Sequence, residues 1–305
     1  MKKVCSLLVL LLTTFFFTGC NLDEYVSIYE PSFGYWSQDN DFVPNYSYNE
    51  NPTGEDLLTV HFIDVGQGDS VFIELPNNET MLIDAGDYEA GDKVVNYVFE
   101  QGYDSLDYLI VTHDHIDHTG GLFAVVNNFE IDCIYTSTPS DIGSDKLNNM
   151  ISENKILVQK VGAGFDIIDE PLLNVEVVAP TVLDEDNPNN NSIVLKLVYG
   201  ATTFVFTGDA EKQEEDSIRS NIKCDVLKIS HHGSNTSTSV NFLKKTEPTY
   251  AIISCGLNNK YGHPTDRILQ CLYENNISVF RTDMQGTIIC FSDGSNISFN
   301  KKAFH

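Results

Sequence analysis

The sequence predicts a layered α/β domain, with sheets inside and helices outside. Three observations predict it. From Leu57 onward, short apolar runs of strand length alternate with amphipathic stretches. The early runs follow one another through turns, whereas the later ones are interleaved with helical patterns, so a β-rich opening leads into mixed α/β. Apolar residues make up 42% of the chain, with 18 Phe and 14 Tyr, which is ample for a packed core and excludes wholesale disorder. Sheets and helices that each bury one face pack as layers.

Residues 58–63, 70–75 and 80–84 are rich in β-branched and aromatic residues and are separated by Gly, Asp and Asn turn chemistry, so they read as three consecutive strands. Residues 93–101 carry apolar side chains at helical spacing and read as a helix. The short apolar run 108–112 reads as a buried strand. Further strands are expected at 175–179, 192–198, 203–207, 226–230, 251–254, 278–281 and 287–291, with helices near 211–221, 239–245 and 266–274. No internal repeat is visible.

The first twenty residues read as an address. Met1-Lys2-Lys3 is a short positive start, residues 4–17 are apolar and uncharged, and Thr18-Gly19-Cys20 precedes the polar Asn21. The apolar run is short for a membrane span. Small residues before a cysteine resemble the bacterial lipobox, with Phe17 where Leu is usual, so residues 1–19 are expected to be a lipoprotein signal peptide. Cys20 is then the lipidation site, and the protein is extracytoplasmic and anchored to the bacterial membrane. An uncleaved anchor and simple secretion are the alternatives. Residues 20–56 contain no Lys or Arg and many Asn, Asp, Tyr and Ser, which predicts a flexible acidic and aromatic tether. The remaining 57–305 form one domain.

Lys and Arg number 18 against 44 Asp and Glu, a formal charge of −26. Such a surface repels phosphate backbones unless a metal or local basic patch intervenes, so strong electrostatic binding of nucleic acid is not expected. Beyond Cys5 and Cys20, Cys133, Cys224, Cys255, Cys271 and Cys290 are odd in number and widely spaced. A disulfide framework is not indicated.

The chemistry-bearing residues follow strands. His113-Asp114-His115-Ile116-Asp117-His118 directly follows a buried strand, and its imidazoles and carboxylates are ligands for divalent cations. His113 and His115 fall on one side of an extended segment, while Asp117 and His118 enter the turn and can reach a second ion. Gly120-Gly121 then allows close backbone approach and a helix start. Asp209 follows a strand through a Gly turn and suits a carboxylate bridging two metals ~3.5–4 Å apart. His231-His232-Gly233-Ser234 follows another strand: one His can ligate, the other can move a proton, and Ser234 can contact substrate oxygens. His263, in Tyr261-Gly262-His263-Pro264, is a further ligand, a substrate contact or a helix-capping histidine. Asp64, Asp69 and Asp84 lie at strand ends, where a carboxylate typically orients a ligating His or serves a hairpin turn. His61 belongs to a core strand pattern.

Taken in order, Asp64-to-Asp69, Thr112-to-Gly121, Asn191-Ser192, Thr207-Gly208-Asp209, His231-to-Ser234 and Tyr261-to-Pro264 resemble the metallo-β-lactamase fold superfamily, and within it the ComEC-like hydrolase branch. The resemblance runs from about Leu57 to about Phe299. It implies an αββα four-layer sandwich with the metal site on one edge of the two sheets. It also implies a pair of divalent ions, Zn or Mn: His113 and His115 on one, Asp117 and His118 on the other, with Asp209 bridging. The second ion's remaining ligand is one of His231, His232 and His263. No His lies between His118 and His231; the position where many superfamily enzymes carry another His matches Asn191, which favours Mn²⁺ or a labile ion at the first position.

These readings predict a metal-dependent hydrolase in which Asp117, His231 or His232 moves protons while a metal-activated water attacks, most often a phosphodiester in small or polymeric form. A non-catalytic, metal-containing surface-binding lipoprotein and a β-lactamase or thioester hydrolase on the same fold are the rival readings.

Overall fold

The computed structural model describes residues 56–138 and 142–304. The expected signal peptide, the lipidation site Cys20 and nearly all of the expected tether lie outside the described residues. Among the described residues, no helix is long and apolar enough to cross a membrane.

The chain opens with three antiparallel strands, β1 (Leu58–Phe62), β2 (Val71–Glu74) and β3 (Thr80–Ile83). Their alternation decides the layers. Leu58, Val60, Phe62, Val71, Ile73, Met81 and Ile83 enter the core between the sheets, while Phe72 and Leu82 face the outer helices. Helix α1 (Gly91–Glu100) buries Val94, Val95 and Val98 on that outer face. After β4 (Ser105–Val111) come a single turn of helix, α2 (Ile116–Thr119), and α3 (Leu122–Asn128). Then follow β5 (Glu130–Thr136), α4 (Asp145–Glu153) and β6 (Leu157–Lys160). Strands β3 to β6 are parallel, as strand–helix–strand crossovers require.

The second half repeats this logic. Strands β7 (Phe165–Asp169), β8 (Leu173–Ala179), β9 (Val194–Tyr199) and β10 (Thr202–Phe206) are antiparallel. Past α5 (Lys212–Ser217), β11 (Val226–Lys228) lies parallel to β10. Helix α6 (Val240–Thr246), β12 (Tyr250–Ile253), α7 (Asp266–Glu274) and β13 (Ser278–Arg281) extend the parallel part. The chain returns through α8 (Thr282–Gln285) to β14 (Ile288–Ser292) and β15 (Ile297–Phe299), which join β1. The result is an eight-stranded sheet in the order β15-β14-β1-β2-β3-β4-β5-β6 and a seven-stranded sheet in the order β13-β12-β11-β10-β9-β8-β7. This is the expected αββα sandwich.

Differences from the sequence reading are local. The helix expected over 211–221 stops at Ser217, because Ile218 turns extended (ψ 125°) to bury its side chain. Helix α3 begins after Gly121, where a helix start is expected, whereas strands β5, β6, β7 and β15 and helix α4 have no counterpart in the sequence reading. Each is short or only partly apolar, and neighbours in the sheet, not local pattern, hold it in place. His61 is buried as expected, bonded to Glu74 and Tyr97 at 2.8 Å each.

The two sheets meet at one edge, where the Ile193 N–H donates to the Thr112 carbonyl at 2.9 Å. The carboxyl ends of β3, β4, β10, β11 and β12 all open there, the usual place for a site in parallel sheets.

Candidate metal centre

Each candidate side chain is delivered by a strand end. Thr112 and His113 leave β4, and His115 caps α2, which turns Asp117 and His118 back toward the sheet edge. Asp209 follows β10 through Gly208, whose positive φ (49°) makes the turn. The Asp209 N–H donates to Ser192 Oγ at 3.1 Å, which fixes the turn to the loop before β9. His231 and His232 follow β11 and both hold left-handed backbone, φ 49° and 53°. Such conformations cost about 1–3 kcal/mol each in side-chain-bearing residues and cluster at functional sites.

The geometry converges on Asp209, which is 1% exposed. Its Oδ1 is 3.3 Å from His118 Nε2. Its Oδ2 is 3.6 Å from His232 Nε2, 3.7 Å from His231 Nε2 and 3.9 Å from His113 Nε2. His232 Nε2 is also 3.3 Å from Asp117 Oδ2. Three sets of ligand atoms therefore cluster: His113, His118 and Asp209; Asp117, His118 and His232; and Asp69, Asp209 and His232.

The residues present fit a divalent cation. His113 Nε2, His118 Nε2, His232 Nε2 and Asp209 Oδ1 are buried with no hydrogen-bond partner. An orphaned buried polar group costs about 1–3 kcal/mol, and four of them gathered around Asp209 are explained by divalent cations that they would contact. Electrostatics agree. Burial disfavours charge on His118, yet the Asp209 and Asp84 carboxylates hold it well above its ordinary value. His232 is held at about 10 against burial by Asp209 and Asp69. Asp209 is kept well below the carboxylate range, against burial, by His232 and His118, and Asp117 is lowered to about 2 against burial by His232 and His118. Burial and His118 push His113 down, so its imidazole is neutral and free to ligate. A cation entering this cluster displaces protons, so its affinity falls as pH falls.

Behind the ligand atoms lie orienting groups. His118 donates from Nδ1 to Asp84 Oδ2 at 2.7 Å, which leaves Nε2 aimed at Asp209. Asp84 is itself held by the Thr112 N–H at 2.9 Å and the Thr112 hydroxyl at 2.6 Å. Asp69 Oδ1 lies 3.3 Å from His232 Nδ1. Asp84 is thus bonded to His118, and Asp69 faces His232. Replacing Asp84 with Asn, which keeps the shape but weakens the hold on His118, is expected to lower metal affinity about 10- to 100-fold. Zinc titration against a competing chelator measures it, and unchanged affinity would refute the orienting role.

Other expected residues are placed differently. Asp64 is not brought to the cluster: its Oδ1 accepts from the Gly66 N–H at 3.1 Å and its Oδ2 is 3.7 Å from Lys93, so it serves the hairpin turn. Asn191 spends its amide on the Asp184 main chain, accepting at 2.6 Å and donating at 2.8 Å, and so closes the 184–191 loop. Ser234 is buried and accepts from the Thr236 N–H at 3.3 Å; it builds the turn after His232 and does not line the cavity. His115 lies beside His113, ring centroids 4.7 Å apart, but joins none of the three clusters. His263 stands at the mouth, stacked 5.7 Å from Tyr261; burial, with His232 and His231 nearby, lowers it to about 4. Thr112 and Ser192, both inside the motifs, hold Asp84 and the Asp209 turn, and two residues with no signal in their local sequence also serve the site: Ser254, and Glu211, whose Oε1 lies 3.4 Å from His231 Nδ1. The cavity above Asp209 measures about 350 Å³ and is lined by Gln67, His115, Ile116, His231, Tyr261 and His263, among others.

Comparisons with known proteins bear on the family and the fold. The description of the metallo-beta-lactamase superfamily matches residues 63–257. The chain is 34% identical over 254 residues to ComE operon protein 3 of Bacillus subtilis (strain 168), covering 75% of this chain and 32% of that protein. It is 30% identical over 247 residues to competence protein ComA of Neisseria gonorrhoeae, covering 79% of this chain and 33% of that one. The chain thus spans about a third of the length of these curated relatives. Among solved structures, CmlA, a diiron β-hydroxylase from Streptomyces venezuelae, shares the fold with a TM-score of 0.51 at 13% identity, covering 76% of this chain and 53% of that one.

Proposed function

The chain belongs to the metallo-β-lactamase superfamily and is a metal-dependent hydrolase of that fold, and from this premise we propose that it cleaves phosphodiesters at a di-metal site on the outer face of the cell. The observation that carries the reading is the set of orphaned Nε2 and Oδ atoms facing one another around Asp209. His113 and His115 with Asp209 would hold one ion. Asp117, His118 and Asp209 would hold the other, with His232 favoured over His231 and His263 because its Nε2 faces both Asp117 and Asp209. Bound there, Zn²⁺ or Mn²⁺ would supply Lewis acidity and bring the pKa of water toward neutrality.

The chain's own groups do the rest. Asp209 and Asp117 gather negative charge on one side of the cavity. His231, 22% exposed and flanked by Glu211 and Thr236, can hold a proton on Nδ1 and exchange one at Nε2 with the cavity. His263, neutral at pH 7, can accept a hydrogen bond from the substrate side. Ile116 and Tyr261, both exposed, rim the mouth and limit the water that enters with the substrate. Phosphodiesters are favoured by the relationship to the ComEC-like proteins and by the missing His between His118 and His231. A charge of −26 favours a small or locally recognised ester over long nucleic acid. The location rests on the pattern from Met1 to Asn21 and on Cys20.

Turnover of bis-p-nitrophenyl phosphate and p-nitrophenyl phosphorylcholine by residues 21–305, with added Zn²⁺ or Mn²⁺, tests the reading. Activity that EDTA removes and metal restores is expected. Nitrocefin hydrolysis in place of diester hydrolysis would overturn the substrate class. Metal binding without turnover of any of the three would favour the non-catalytic surface protein.

A further inference from the structure

One charged group beside the site has no part in the reading above. Lys228 ends β11, a central parallel strand, and is 2% exposed. Lysine is almost never fully buried unless paired. Its Nζ donates to Asp69 Oδ2 at 2.7 Å and to the Ile229 carbonyl at 3.0 Å. The other Asp69 oxygen, Oδ1, lies 3.3 Å from His232 Nδ1, which also bonds the Ser254 carbonyl at 3.1 Å. The Ser254 carbonyl accepts from Nδ1 and the Asp69 carboxylate adds negative charge beside it, so Nδ1 carries a proton and Nε2 is the nitrogen that faces Asp117 and Asp209. Asp69 follows Gly68 in the turn between β1 and β2 in one sheet, and Lys228 lies in the other.

We propose that Lys228 is a positioning residue for the metal centre: its ammonium group holds Asp69 so that one carboxylate oxygen faces His232, and through Asp69 it sets the ring that would ligate the ion. A carboxylate at this depth with no fixed partner would be strongly disfavoured and would turn toward another donor. The lysine supplies that partner and fixes which oxygen faces the histidine. The backbones of Asp69 and Lys228 belong to different sheets, and the ion pair, together with the Gly256 N–H bond to Gln67 Oε1 at 3.2 Å, registers one against the other beside the site.

The inference rests on the metal-site reading, and zinc binding by the wild-type full chain is the control that separates them. Zinc affinity is measured with Zn²⁺ alone against a chromophoric chelator, and coordination by the visible absorption of the Co²⁺-loaded protein. Lys228→Met and Asp69→Asn are each expected to weaken zinc about 10- to 100-fold and to alter the Co²⁺ bands. The double variant is expected to lose no more than the worse single variant, because both changes break one relay. Near-ultraviolet circular dichroism checks folding, and if Lys228→Met does not fold, Lys228→Gln, which keeps an N–H donor, is read in its place. Wild-type zinc affinity in a folded Lys228 variant, or losses that multiply in the double variant, would overturn the assignment. A wild-type chain that holds no zinc would instead overturn the metal site itself.

Discussion

Replacing Asp209 with alanine is expected to abolish hydrolysis and most metal binding together. Among the described residues, Asp209 is the one carboxylate within 4 Å of four imidazoles, those of His113, His118, His231 and His232. Its loss takes the nearest carboxylate from His118 Nε2, leaves His232 Nε2 with Asp117 alone, and removes the group that would join the two halves of the site. A metal's stabilisation of developing charge is worth several kcal/mol, so a loss of about 4 kcal/mol, or roughly a thousandfold in kcat/KM, is expected. Asp209→Asn separates charge from shape. It keeps the packing, and the backbone bond to Ser192 Oγ persists in both variants, so folding is preserved while metal affinity falls. Steady-state kinetics and metal content on the same preparations check this. A variant that keeps a sizeable share of wild-type turnover at saturating metal would show that the catalytic centre lies elsewhere.

Gly68→Ala is expected to strike stability and the site at once. Gly68 has φ +140°, a region that side-chain-bearing residues rarely adopt. A methyl group there would run into the Asp117 carbonyl oxygen, the acceptor of the Asp69 N–H at 3.1 Å. Relief of the clash must separate the segment carrying Asp69 from the one carrying Asp117 and His118. Overpacking and backbone strain together cost about 3 kcal/mol, a fall of roughly 6–12 °C in Tm for a domain of this size. Gly102→Ala is the control, since Gly102 also has positive φ (97°) but nothing within 4 Å of the added methyl. It is expected to show strain alone, at about 1 kcal/mol. Thermal unfolding of the two variants compares them, and equal losses would mean that the contact with Asp117 carries no weight. Zinc affinity should fall only in Gly68→Ala.

The ligand-bearing turns were legible because each joins a strong local signal to a dense chemical one. The buried run before His113 and the apolar strand before Asp209 announce strand ends, and histidines crowded at a strand end have few structural uses. What escaped is non-local. Lys228 looks like any residue in a short strand, and its partner Asp69 lies 159 positions away. Glu211 looks like a helix start, and nothing local says that it faces His231. Asn191, by contrast, takes by motif order the place where many superfamily enzymes carry another His, but its amide finds nearer partners in the Asp184 main chain. Ser144, whose side chain caps α4 by accepting from the Leu147 N–H at 3.3 Å, is a signal that could have revealed that helix. The edge strands β6 and β7 had no such marker, since their half-exposed residues fit a pleat only once a neighbour supplies it.

The division of the site between the two sheets has a mechanical side. His113, Asp117 and His118 hang from the eight-stranded sheet, Asp209 and His232 from the seven-stranded one, and a cation gripping both would act as a clasp on the open edge of the sandwich. Its grip adds to the resistance of the whole domain by mass action, about 1.4 kcal/mol for each tenfold of free metal above the dissociation constant. Metal supply would then govern how long the protein survives heat and proteases as well as how fast it turns over.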